Sequence, residues 1–282
     1  VIKTVAYFPL QAARNSVPVI SAVIQALHKA GIDTVADSLD ADAAVIWSVL
    51  WAGRMKKNLE VYRHYRAIGR PVIIIDVGAL HRGITWKIAI NNITAEGYYG
   101  HTQDLEWDRP RQLGIGLGHP SVQKPHIVIA AQHRLSLQIE ALSSMEDWIM
   151  QKINTVRSHS DRPIVVRPHP RCGLNLPTLP RGVSLENPRA VINTYDSFDL
   201  AFDCHAMINY NSGPGIQAAI QGVRPMVHSS SLAHPVSVSI QDLELPYDMN
   251  RYQWLVEICH TEYTIEEIAQ GKWLKRLKDR LL

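Results

Sequence analysis

The chain has 282 residues, with 29 Lys and Arg against 26 Asp and Glu, 46% hydrophobic residues and a formal net charge of +3. That apolar content excludes bulk disorder, and the small charge excludes an obligate polyelectrolyte partner while leaving room for a local basic groove. No apolar run approaches the roughly 20 residues of a membrane-spanning helix, and three scattered cysteines (Cys172, Cys204 and Cys259) make neither a disulfide framework nor a CxxC metal site.

The first residues, VIKTVAYFPL, lack a charged segment followed by an apolar one, so no signal peptide and no stable membrane insertion are expected. The cysteine usage fits a reducing, cytoplasmic setting. Residues 2–8 (IKTVAYF) read as a short strand. Residues 17–31 have apolar side chains at helical spacing and stop at Gly31. AAVIWSVLW (43–51) is a second buried strand, and 59–69 a helix ending at Gly69. PVIIIDVGAL (71–80) is the clearest strand, with Asp76 near its end. From Gly83 to Gly118 periodicity is weak, which predicts an elaborated loop or interdomain region.

SVQKPHI (121–127) reads as a linker, after which the alternation restarts. HIVIAAQ is a strand, 146–159 a helix, PIVVRPHP a strand ending in a basic turn, and GVSLEN a further strand. A short helix-like stretch leads to the strand-like DLAFDCHAMINYNS (199–212), then to the helix GIQAAIQG and the strand RPMVHSS. Residues 264–282 predict one long amphipathic helix, with Thr264 and Glu267 at capping-box spacing. Strands alternating with helices imply parallel sheets covered on both faces. Two such halves predict an α/β chain of two Rossmann-like domains, residues 1–122 and 123–263, facing a central cleft. Ligands in such sheets sit at the carboxyl ends of strands.

Two segments could carry chemistry. In RPHPR (Arg167 to Arg171) two prolines fix the backbone, and two arginines and His169 follow a parallel strand. Forked hydrogen bonds and charge suit that set to a phosphate or carboxylate; the alternative is a surface turn with solvated arginines. In NYNSGPGIQAAIQGVRPMV (209–227) a strand runs through Asn211, Ser212, Gly213, Pro214 and Gly215 straight into a helix. Its N-terminus suits a diphosphate, or else Ser212 simply caps the helix. Neither a Walker A motif nor GxGxxG is present.

A strand ending in R/K-P-H-P, followed by N-S-x-x-G-x-E-A-x-x-x-G-x-P-V, resembles the C-terminal domain of GT-B glycosyltransferases. Within them it resembles the capsule-polysaccharide and CDP-glycerol transferase group. The likeness covers roughly residues 125–230, and the chain is also similar to compact phage-encoded DNA glycosyltransferases. The resemblance implies a nucleotide-sugar co-substrate, such as UDP-glucose or another UDP-sugar, and no other cofactor and no metal. Its diphosphate would meet Arg167, His169, Arg171 and the helix after Ser212, with Gln132, His133 and Arg134 beside the phosphates or the transferred sugar. Gln217 stands where the family has a Glu facing the donor ribose. The resemblance also implies that residues 264–282 pack back on the first domain.

Glycosyl transfer needs a base and positive charge on the departing diphosphate. Asp76 is the first candidate base, then His81 and His101. Arg82, Trp86, Lys87, Asn91 and Asn92 form the expected acceptor loop. Asp40 and Asp42 match Asp-x-Asp in letters but precede a strand, and read as a solvated turn. His205 and His228, also at strand ends, read more readily as structural histidines than as ligands. For a 5-hydroxymethylpyrimidine acceptor in DNA, Arg82, Lys87, Arg109 and Arg111, interleaved with Trp86, Tyr98, Tyr99 and Trp107, would hold an extruded base. A capsule-like glycan acceptor, a UDP-sugar epimerase and a non-catalytic nucleotide-sugar binder are the alternatives. The sequence leaves the oligomeric state open.

Overall fold

The computed structural model describes residues 2–13, 16–120, 124–188 and 203–282. In chain order the elements are β1 (Thr4–Tyr7), α1 (Val17–Lys29), β2 (Asp33–Ala36), β3 (Ala43–Trp47), α2 (Asn58–Ala67), β4 (Val72–Val77), β5 (Thr85–Ile90) and α3 (Arg109–Gln112). There follow β6 (Ile127–Ala130), α4 (Met145–Arg157), β7 (Ile164–Arg167), β8 (Val183–Leu185), β9 (Ala206–Asn209), α5 (Gly213–Gln221) and β10 (Arg224–Val227). The last are α6 (Tyr252–Cys259), β11 (Glu262–Thr264), α7 (Ile265–Ala269) and α8 (Lys272–Leu281). They form two compact units, Val1–Arg109 with Val256–Leu282, and Pro110–Leu255.

The first unit holds a six-stranded sheet in the order β11-β5-β4-β3-β1-β2. β1 to β4 are parallel, whereas β5 runs antiparallel to β4 and to β11. Alternate residues along each strand define two faces. On one, Val45, Ile73, Ile75 and Ile88 pack with Val19, Val23 and Leu27 of α1 and with Trp273 and Leu277 of α8. The other carries Asp76, Lys87 and Glu262 on three adjacent strands, in direct register.

β5 lies in the stretch expected to be irregular. Its TWKIAI does alternate, but a lysine interrupts the apolar run, and only its cross-strand partners Asp76 and Glu262 explain it. β2 was not expected because it is a four-residue edge strand, half of it polar and none of it buried. β11 is only three residues long. The long terminal helix is two helices, because Gly271 takes φ 77° between α7 and α8. The capping box of Thr264 and Glu267 is present. Pairing of β11 with β5 returns the chain to the first unit at Val256, ahead of the expected boundary at 263/264. The expected boundary at 122/123, part of the linker and the helix-like stretch before residue 203 lie outside the described residues.

The second unit holds a five-stranded sheet, all parallel, in the order β10-β9-β6-β7-β8. Read from β8, this is 3-2-1-4-5, the Rossmann order. Its core joins Ile127, Ile129, Ile164, Val166 and Ile208 to Ile149 and Ile153 of α4. The strand order reverses between β6 and β9, whose last residues, Ala130 and Asn209, are register partners. A crevice for ligand is expected outside the carboxyl ends at such a reversal.

Candidate functional site

The carboxyl ends of β6 and β9 are joined by a buried amide pair. Gln132 and Asn211 are 3% and 5% exposed. Asn211 N–H donates to Gln132 Oε1 at 2.7 Å, and Gln132 Nε2 donates to Asn211 Oδ1 at 3.0 Å. Asn211 Nδ2 donates in turn to Gln138 O at 2.8 Å and to Ser230 Oγ at 2.9 Å. Both side chains are therefore engaged inside the protein, so they hold the crevice rather than face into it.

Ser212 precedes α5 but makes no side-chain cap to it. Its hydroxyl exchanges hydrogen bonds with the Asn209 amide, and Asn209 Nδ2 also donates to Ala130 O at 3.0 Å. Simple N-capping by Ser212 is thus not what the sequence was for. In the first turn of α5 Pro214 has no N–H and Gly215 N–H donates to Ser212 O at 3.2 Å, so what that end offers another acceptor is the Gly213 N–H and a positive dipole end. Gly215 serves packing: a Cβ there would stand 2.8 Å from Val227 Cγ1, so any side chain would have to displace Val227 or α5. Gln217, half-buried on the same helix, has a buried Oε1 without a hydrogen-bond partner among the described residues.

Beyond β6 and β7 two imidazoles meet edge to face, His133 and His169, with centroids 5.2 Å apart. Leu135 N–H donates to His133 Nδ1, and Arg171 N–H to His169 Nδ1, each at 3.1 Å. A ring nitrogen that accepts cannot carry a proton, so both neutral rings bear theirs on Nε2. Burial, with the charges of Arg134 and Arg171, lowers the His133 pKa, keeping that ring a neutral donor at pH 7. Arg134 reaches across to Gly173 O at 2.7 Å and to Glu146 at 3.6 Å, tying the two turns together. Arg171 is exposed, and its guanidinium has no hydrogen-bond or ion-pair partner among the described residues. Arg167 ends β7 and is half-buried.

In the first unit Asp76 is half-buried near the carboxyl end of β4. Burial pushes its pKa above the ordinary carboxylate range, against the Val77 N–H, Lys87, Arg82 and Ser48, which pull it down. Val77 N–H donates to its Oδ1 at 2.7 Å, and Ser48 Oγ reaches its Oδ2 at 3.4 Å. Ser48 holds φ 62°, a conformation costly for a residue with a side chain. Lys87, 6% exposed, has its pKa lowered by burial although Glu262 and Asp76 favour its charge. Glu262, fully buried, accepts from Ala79 N–H (2.7 Å), Leu80 N–H (3.1 Å) and Thr85 Oγ1 (2.8 Å), and so fixes the turn that carries His81 and Arg82. Lys87 and Glu262 were not grouped with Asp76 in the sequence, since only strand pairing aligns them. Gly78 was the available signal: a Cβ there would stand 2.3 Å from Glu262 Oε2.

Other expected members lie elsewhere. Trp86 and Lys87 are buried strand residues, not loop residues. Asn91 and Asn92 follow β5, at the opposite end of the sheet from Asp76. Asn91 Oδ1 accepts Val72 N–H at 2.9 Å, and Asn92 Oδ1 accepts Ile93 N–H at 2.8 Å. Asp76 is four residue steps along β4 from Val72, about 13 Å. The five expected acceptor residues therefore form no single loop. His101 pairs with Asp279 of α8 at 2.6 Å. In the set expected to grip a base, Arg109 is 3% exposed and bound to Glu267, and Tyr98 lies under Arg280. Trp107 and Arg111 are the exposed members of that set. Asp42 accepts from Lys3 and Thr4 N–H groups, at 2.8 and 2.9 Å. Among the described residues no group of three or more His, Cys, Asp and Glu could hold a metal, and no helix is long and apolar enough to cross a membrane.

No protein-family model matches the chain, and no curated protein matches it. Among solved structures it is similar to KpsC of Thermosulfurimonas dismutans, described as a beta Kdo 2,4 transferase. The identity is 11% and the TM-score 0.51, over 97% of this chain and 98% of that one. A beta Kdo 2,7 transferase of the same name and organism gives 12% and 0.46, over 95% and 97%. The glycosyltransferase SnogD from Streptomyces nogalater gives 11% and 0.31, over 99% of each chain. At such identity the first likeness is one of fold. The chain has the fold class expected from its motifs, α/β of the GT-B type with two Rossmann-like units.

Proposed function

We propose that the protein is a glycosyltransferase that moves a sugar from a nucleotide-sugar, such as a UDP-sugar, to a hydroxyl acceptor. The observation that carries this reading is the carboxyl edge of the second unit. An α5 N-terminus without a side-chain cap, two Nε2–H imidazoles and the Arg171 guanidinium, which has no hydrogen-bond or ion-pair partner among the described residues, lie at the ends of a Rossmann-ordered sheet. Such a set suits a phosphate, and later the diphosphate as it leaves. Gln217 Oε1, buried without a partner among the described residues, suits a ribose hydroxyl donor. Asp76 is the proposed base. Its raised pKa keeps it basic enough to take the acceptor's hydroxyl proton while that oxygen bonds to the anomeric carbon and the bond to the diphosphate breaks.

The DNA acceptor loses three of the eight residues that suggested it, because Trp86, Lys87 and Arg109 are buried. It stays as one arm of the test. Purified protein is incubated with a panel of UDP-sugars and with either hydroxymethylpyrimidine DNA or oligosaccharides, and products are weighed by mass spectrometry. A hexose-sized gain on an acceptor, lost in Asp76→Asn while donor binding persists, supports the reading. A changed sugar nucleotide without an acceptor would show an epimerase. Binding without turnover would show a non-catalytic binder.

A further inference from the structure

The carboxyl ends of β1 and β3 lie side by side, because the two strands are parallel neighbours. Each leads into a short 3-10 turn, Pro9–Gln11 after β1 and Gly53–Lys57 after β3, and then into α1 or α2. The two turns pack on each other, and Asn58 Nδ2 donates to Gln11 O at 3.3 Å across the contact. Phe8 and Ala12 are buried on either side of the first turn, which leaves Leu10 outside at 81% exposed. Val17, at the start of α1, is 64% exposed. These are the two most exposed large hydrophobic residues among those described. In the second turn Met55 packs on the core, and Arg54, Lys56 and Lys57 stand in solvent. None of those three side chains has a hydrogen-bond or ion-pair partner among the described residues. Glu60, in the first turn of α2, is the acidic residue nearest to them in the chain. Asp37 lies on the other side of β1, where its N–H donates to Tyr7 O at 2.9 Å.

Three neighbouring cations without counter-charges suit an anionic partner. Apolar side chains that stand singly among cations insert between lipid headgroups, where both kinds of group gain. A protein partner would need a contiguous apolar core, which Leu10 and Val17 do not make. A single-stranded nucleic acid would stack on exposed rings, whereas Phe8 and Trp51 of these segments are buried.

We propose that this edge of the first unit docks on an anionic lipid surface, with Leu10 and Val17 entering the headgroup layer and Arg54, Lys56 and Lys57 resting on its phosphates. The docking goes beyond the function proposed above and does not depend on it. One consequence does rest on that reading. β4 is the other neighbour of β3, and Ser48, directly after β3, reaches Asp76 Oδ2 at 3.4 Å. The docked edge therefore also carries the proposed base, which suits an acceptor hydroxyl borne on the lipid surface.

The test is co-sedimentation of the full chain with vesicles of phosphatidylcholine alone or with about one-third phosphatidylglycerol. Wild type is expected to bind the anionic vesicles at about 0.1 M salt, to release them at about 0.5 M, and to ignore the neutral ones. Each cation at such a surface is worth about five-fold, so Arg54→Gln, Lys56→Gln and Lys57→Gln together should weaken binding about a hundred-fold. Leu10→Ser should weaken it about ten-fold by removing an inserted side chain. Lys275→Gln with Lys278→Gln, which removes two exposed cations from α8, should leave binding within about three-fold of wild type. Melting temperatures should not move, because every replaced side chain is exposed. No binding to anionic vesicles, equal loss in the α8 variant and the triple variant, or full binding by Leu10→Ser overturns the proposal. Duplex DNA that binds as tightly as the vesicles would show a nucleic-acid surface instead and overturn it as well. Vesicle binding needs neither donor nor turnover, so a failure of sugar transfer overturns the functional reading and leaves the docking to be decided by the vesicles.

Discussion

Replacing Glu267 by Gln should destabilise the first unit selectively. Glu267 caps α7, and its carboxylate takes bonds from Arg109 Nη2 at 2.8 Å, Lys272 Nζ at 2.9 Å and Thr264 N–H at 3.1 Å. Burial alone would raise its pKa; the Arg109, Lys272 and Thr264 bonds outweigh that and bring it from 4.5 to about 2. That fall corresponds to about 3 kcal/mol at pH 7. The carboxylate is 13% exposed, so screening by water brings the expected figure to about 2 kcal/mol. Against this, Arg109, 3% exposed and also bonded to Cys259 O and Glu262 O, would be left buried without its counter-charge. Breaking one side of such a pair costs about 3–5 kcal/mol. A loss of about 2–4 kcal/mol is therefore expected in urea unfolding at pH 7. The sign with pH follows from the lowered pKa: the contribution is full above 4.5 and is lost as pH falls from 4.5 through about 2. The gap between wild type and variant should narrow over that window. Hydrogen exchange should show lost protection in peptides covering 85–109 and 256–282, and none in 125–170. A loss below about 0.5 kcal/mol, a pH-independent gap, or equal deprotection of both units would refute the reasoning.

Lys87→Met should raise the Asp76 pKa further, since Lys87 is one of the charges that lowers it. Carboxyl ¹³C NMR reads this directly, and the ascending limb of any pH–rate profile should move to higher pH with it. Asp76→Asn should cut transfer by about 10²–10⁴ while leaving UDP affinity within about two-fold; equal loss of both would place Asp76 in folding instead. Gly215→Ala puts a methyl 2.8 Å from Val227 Cγ1, which should cost about 1–3 kcal/mol in thermal unfolding and loosen UDP binding by displacing α5. Arg171→Ala should weaken pyrophosphate binding and flatten its salt dependence without moving the melting temperature, because the side chain is exposed and has no hydrogen-bond or ion-pair partner among the described residues.

Local chemistry was legible in the sequence where it was contiguous. The prolines of RPHPR, the glycine-rich entry to α5, the capping box at Thr264 and the apolar run before Asp76 each announce an element from neighbouring residues alone. Hydrophobic periodicity likewise fixed the strand–helix alternation, because burial on one face imposes it on any chain that folds this way. What each polar residue does there was a separate matter. Gln132 and Asn211 sit at strand ends where ligand residues are expected, yet each satisfies the other, and that depends on β6 and β9 being neighbours despite the distance between them in the chain.

The same holds in the first unit. Lys87 reads as a loop cation until antiparallel pairing sets it between Asp76 and Glu262, and Arg109 reads as a nucleic-acid contact until α7 brings Glu267 to it. Asn91 and Asn92 follow Trp86 and Lys87 within a few residues, yet β5 carries them to the far end of the sheet. The sequence by itself determined the elements, the α/β class and the phosphate-like motif, because these depend on spacing within one segment. Tertiary structure alone decided which of the candidate side chains are exposed and which are spent on one another. Burial and hydrogen-bond partnership are set by residues far away in the chain, and no local pattern encodes them.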